Sequence, residues 1–141
     1  MTGYESTSEI DIAATPDEVW SALTDNARFG DAMFGTEVVT DWGIGSPIVY
    51  RGEFEGKQFE DTGEVVELSP PSRMRLTHYS PTSGDPDVPE SYHELRFDLS
   101  GTDAGTHVTL TQDNNSSEKA AEHSKGNWDM LLDRLKKGVE A

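Results

Sequence analysis

Cysteine is absent from this sequence, so disulfides, thiolate metal sites and a cysteine nucleophile are excluded and stability has to come from packing. Cations are scarce. Eleven Lys and Arg face 27 Asp and Glu, and the net charge of -16 repels phosphate backbones and anionic lipid surfaces alike. Neither a nucleic-acid nor a membrane partner is expected. Such acidity suits a solubilising surface or adaptation to high salt, where screening damps self-repulsion, and the presence of only five lysines fits the second reading. No run approaches the ~18 apolar residues a membrane span needs, and Met1-Thr2-Gly3-Tyr4-Glu5 lacks the basic start and apolar stretch of a signal peptide. A cytoplasmic protein is expected, with the sequons at Asn114 and Asn115 there by chance. Nucleophile-elbow, phosphate-loop, dinucleotide and HExxH motifs are missing, and His78, His93, His107 and His123 lack metal-ligand spacing, so no cofactor and no metal are expected.

What is present reads as one α+β domain over residues 1–141. Tyr4 to Ala13 alternates as a half-buried strand with Ile10 and Ile12 on one face. Thr15-Pro16-Asp17-Glu18 is a helix start: Thr15 caps, proline takes the first helical position, and Glu18 closes a capping box ahead of Val19, Trp20 and Leu23. A second short helix is expected from about Ala27 to Phe34. Six strands then follow at short spacing: Thr36–Trp42, Pro47–Glu55, Lys57–Leu68, Arg73–Ser80, Glu90–Leu99 and His107–Asn114. Turn residues separate them, which predicts an antiparallel meander rather than βαβ units. The last segment has helical period, with Ala120, Ala121, Ser124, Trp128, Leu131, Leu132, Leu135 and Val139 on one broad face and Asn115 as its cap. Only a sheet can cover so long an apolar stripe. The expected fold is therefore a curved seven-stranded antiparallel sheet wrapped around a long C-terminal helix.

Strand parity locates the interior. Met74, Leu76 and His78 share one face of their strand and His93, Leu95, Phe97 and Leu99 one face of the next, so a hairpin through the Pro81–Pro89 loop puts both histidines on the buried side. Arg51, Arg73, Arg75 and Arg96 fall on the outer face among Glu53, Glu64 and Glu94, a pattern of solvated ion pairs. A register setting Arg75 against Asp98 is preferred to one setting it against Arg96, because like charges directly opposite destabilise.

The aromatics Trp42, Tyr50, Phe54, Phe59, Phe97 and Trp128 are too many for thin strands to hide without the helix. A bent sheet gripping one helix leaves an apolar cavity with a few polar groups, the usual form of a ligand site. Trp42, Tyr50, Phe59, His78, His93 and Trp128 are the candidate ligand-binding residues, for a small apolar or aromatic ligand. No catalytic residue is assigned. An alternative reading makes His78 and His93 the acid and base of a cofactor-free cyclase, dehydratase or hydrolase. Oligomeric state, monomer or homodimer, is open.

The order strand, two short helices, six strands and a long terminal helix resembles the START-like, or SRPBCC, superfamily, the helix-grip fold of the birch pollen allergen. Within it, the pattern I-x-A-x-P-x-x-V-W-x-A-L-T from Ile12 to Thr24, the segment Gly63 to Pro71 and the tail Asn127 to Lys136 are similar to relatives of the C-terminal domain of the heat-shock-protein ATPase activator homologues. The resemblance implies a deep hydrophobic pocket between sheet and helix, with lipids, polyketides and aromatic natural products among its ligands. It also implies a third reading, a chaperone-interacting protein, although the eukaryotic activating role depends on a separate N-terminal domain.

Overall fold

The computed structural model describes residues 3–81 and 84–141, except the side chain of Phe54. Thr82 and Ser83, in the Pro81–Pro89 loop, lie outside the described residues. Seven strands, β1 (Tyr4–Ile12), β2 (Glu37–Val39), β3 (Pro47–Phe54), β4 (Lys57–Ser69), β5 (Arg73–His78), β6 (His93–Thr102) and β7 (Gly105–Asn115), form one sheet in the order β1-β7-β6-β5-β4-β3-β2. Every neighbouring pair is antiparallel, and the curved sheet stays unclosed between β1 and β2. Helices α1 (Pro16–Leu23) and α2 (Asn26–Ala32) connect β1 to β2, and α3 (Glu118–Glu140) ends the chain. The arrangement is the α+β helix grip that strand parity and the terminal apolar stripe predict. No described helix is long and apolar enough to cross a membrane.

Local chemistry sets the helix ends. Thr15 accepts from the Glu18 amide while the Glu18 carboxylate reaches back to Thr15, the complete capping box expected there. Asp25 caps α2 through the amides of Ala27 and Arg28. At α3 the expected cap is displaced: Ser117, not Asn115, accepts from the Ala120 amide. Asn115 is instead buried and spends its amide on tertiary contacts. The first strand of the meander, expected over Thr36–Trp42, is shorter, spanning Glu37–Val39, and Trp42 takes a left-handed backbone (φ 58°) that no strand can continue through.

One register expectation fails. Arg75 stands opposite Arg96, not Asp98. The like-charge pair is tolerated because each guanidinium turns sideways: Arg75 bonds Glu94 and Glu67, and Arg96 shares Asp98 with Arg73. Arg51 likewise pairs with Glu60 and Glu37. Solvated ion pairs are as expected of that face; Glu94 is the one expected acid among these partners, and apart from Arg96–Asp98 within β6 the pairs cross between neighbouring strands.

The core lies between the concave face and the helices. Leu131, Leu132 and Leu135 of α3 and Val19, Ala22 and Leu23 of α1 join Ile48, Met74, Leu76, Leu95, Phe97, Val108 and Leu110 from the sheet. Phe29 of α2 packs edge-on to Phe97 and to Trp42, with ring centroids 5.9 Å apart in each pair. α3 runs along β1 and against α2, so the apolar stripe is covered at one side of the concavity while the β3–β4 hairpin stands opposite it.

Candidate functional site

Between that hairpin and the helices lies a groove of about 740 Å³, lined on one side by Met33 and Phe34 from the end of α2 and by Asn127 and Met130 from α3. Gly52, Phe59 and Asp61 form part of the sheet wall. Its size and mostly apolar lining match a small-molecule site.

Backbone geometry shapes this wall. Glu55 and Gly56 both have positive φ, as the tight two-residue turn between Phe54 and Lys57 requires. Gly52 faces Phe59 across the β3–β4 pair, and a Cβ on Gly52 would stand 2.8 Å from the Phe59 ring. The missing side chain lets that ring lie down against the strand. On the opposite rim, Phe34 holds φ 63° and remains half-exposed, with the Arg134 guanidinium 5.6 Å from its ring centre. A bulky residue in the left-handed region costs on the order of 1–3 kcal/mol, and such strain gathers at functional sites.

Asp61 supplies the groove's buried charge. It is 9 % exposed; Oδ2 lies 2.9 Å from His78 Nε2, and Oδ1 has no hydrogen-bond partner among the described residues. The contact is possible because β4 and β5 approach closely at Gly63, where a Cβ would collide with the Thr77 carbonyl. Behind Asp61, Tyr50 is buried with its ring 5.2 Å from that of His78, and burial together with the Asp61 charge pushes its hydroxyl pKa far up. Tyr50 is thus a neutral donor, aimed at the Thr77 carbonyl.

The six candidate residues do not share one surface. Phe59 lines the groove, with His78 and Tyr50 one layer behind it through Asp61. His93 shares a face with His78, as parity predicts, and the observed register sets the two directly opposite where the expected one would have set Leu95 against His78; the rings stack at 6.4 Å. Its Nδ1 faces the Asp113 carbonyl, and its ring borders a separate, more polar hollow at the start of α3 with His123 and Lys119. Trp42 packs on Phe29 and donates to Asn26. Trp128 donates to Gln112 at 2.6 Å, inside a network in which Asn115 accepts from Gln112 and Ser124 and donates to the Tyr4 carbonyl. Residue-by-residue reading passed over Asp61, Met33, Phe34 and Met130. Phe59 entered as an aromatic; strand parity, applied to β4 as well, points to Asp61, two positions along on the same face.

No cluster of His, Asp or Glu able to hold a metal occurs among the described residues.

Residues 13–140 match the family model described as activator of Hsp90 ATPase homolog 1-like protein. Among solved structures, a Cytophaga hutchinsonii protein is 40% identical, with a TM-score of 0.85 over 99% of this chain and 96% of that one. The Aha1 dimer from Colwellia psychrerythraea is 23% identical with a TM-score of 0.73, covering 97% and 96% of the two chains. DynU16, from the dynemicin biosynthetic locus, is 20% identical with a TM-score of 0.77, covering 97% of this chain and 47% of that one. The last two likenesses concern the fold alone. No curated protein matches the sequence.

Proposed function

This chain belongs to the activator of Hsp90 ATPase homolog 1-like family, and from that premise we propose that it binds a small hydrophobic or aromatic ligand in the groove between the β3–β4 hairpin and α3. The observation that carries the reading is the juxtaposition of Met33, Phe34, Phe59 and Met130 around an open volume of about 740 Å³. Phe34 and Met130 are 50 % and 53 % exposed, more apolar surface than a single rim should leave in water without use. Affinity comes from burying it at roughly 25 cal/mol per Å². Phe59 touches the ligand, while Tyr50 and His78 hold the wall behind it. Trp42, His93 and Trp128 fix the elements around the groove. The protein acts in the cytoplasm, as a monomer or, like its Colwellia relative, as a dimer.

The test is titration of the ¹⁵N-labelled protein with fatty acids and polycyclic aromatic compounds. Amides of residues 33–36, 52–61 and 127–130 should shift together, and Phe59→Ala should weaken the best binder at least about tenfold. A library in which no compound moves those amides sinks the reading.

A further inference from the structure

The apolar lining alone does not say which amphiphiles the groove prefers, but its one deeply buried charge does. Building on the ligand-binding reading above, we propose that the groove selects a cationic amphiphile, an apolar body carrying a protonated amine that pairs with Asp61 Oδ1.

Asp61 is nine-tenths buried and lines the groove, one of its oxygens bonds His78, and the other has no partner among the described residues. An orphaned carboxylate oxygen in such a place is costly, and the groups that relieve it best are charged donors. An alkylammonium brings three N–H bonds and a positive charge to one point, whereas a carboxylate ligand would meet Asp61 as a like charge. Charges around the opening reinforce the choice. Glu53 and Glu55 are also among the lining residues, against Lys57 alone among the lining cations. Arg134 lies over the outer rim at Phe34, with its Nε already donating to the Asp31 carbonyl. The walls suit the rest of such a ligand, since the methionines Met33 and Met130 adapt to an alkyl or aryl body and the Phe59 face attracts a cation passing over it. Oδ1 is itself buried although Asp61 lines the groove, so on this proposal the amine has to displace part of the wall around Asp61 to reach it.

The deciding experiment compares three ligands with one tail, octylamine, octan-1-ol and octanoate, by calorimetry and amide-shift mapping at neutral pH and near-physiological salt. Octylamine should bind at the groove amides at least about tenfold more tightly than octanol, with octanoate weakest. In Asp61→Asn, an isosteric change, octylamine should fall to the level of octanol while octanol itself changes by less than about twofold. Met130→Lys, at an exposed rim position that leaves the core intact, should weaken octylamine by at least about threefold and favour octanoate. Equal binding of amine and alcohol, an amine preference that survives Asp61→Asn, or no effect of Met130→Lys overturns the amine assignment and leaves the groove reading standing. If none of the three ligands moves the groove amides while apolar compounds from the wider library do, the amine assignment alone fails; if nothing does, both fail.

Discussion

Two buried polar clusters sit on the concave side of the sheet, and they are finished to different degrees. At β7 and α3, Gln112, Asn115, Ser124 and Trp128 satisfy one another and the Tyr4 carbonyl, so every strong donor in that cluster meets an acceptor. At β4 and β5, Asp61 and His78 make one contact, and the other, buried oxygen of this groove-lining carboxylate meets no partner among the described residues. The difference separates roles. A closed network locks α3 to the sheet and specifies one packing, while an open one, on the proposed reading, keeps capacity for a molecule that is not part of the chain.

The sharpest way to break this comparison is Asn115→Ala. It strips hydrogen bonds to Gln112, Ser124 and Tyr4 in a buried setting, at about 1 kcal/mol each, and should lower unfolding free energy by about 3 kcal/mol in urea denaturation. Asp61→Asn should cost less than about 1 kcal/mol in the same assay, since it exchanges a charged contact to His78 for relief of a half-satisfied buried carboxylate. A larger loss from Asp61→Asn than from Asn115→Ala would reverse the assignment of the two clusters. The smallest effect concerns an exposed cluster that serves as a reference for both. Hydrogen bonds to Glu9 and then Asp11 raise the His107 pKa above its ordinary 6.5. Because the folded-state pKa is the higher one, this stabilisation is complete below about 6.5 and fades as pH rises through the raised value. His107→Gln should therefore flatten the alkaline side of the denaturation midpoint against pH. The acid side should persist, because Glu18 and Glu140, each held low chiefly by a backbone hydrogen bond, lose their stabilisation as pH falls below 4.5.

Features fixed by neighbours in the chain were legible in the sequence. The capping box at Thr15 needs only residues three apart, and the alternation of β5 and β6 suffices to bring His78 and His93 to one buried face. Features that depend on several strands at once were not. The pairwise rule against Arg75 facing Arg96 ignores the carboxylates one strand over and two residues along, which reverse its outcome. Asn115 looked like a helix cap because its partners Gln112, Ser124 and Tyr4 meet it only after β1, β7 and α3 assemble. The candidate site was legible in composition and blurred in position: aromatic content announces a hollow interior, but the lean of α3 toward β1 decides which rings face it. That lean leaves Trp42 and Trp128 as struts and turns Phe34 and Met130 to the opening.

The unclosed sheet carries one more consequence, for how the protein behaves in a crowd. Two strands keep an unpaired flank, the natural template for another chain to add a strand and begin a fibril. One of them, β2, spans three residues from Glu37 to Val39 and offers too little ladder to hold a newcomer. The other, β1, is nine residues long but sets Glu5, Glu9 and Asp11 out toward solvent, so any identical strand approaching it in parallel register would lay acid against acid. The surplus of negative charge thus falls where self-association would otherwise start.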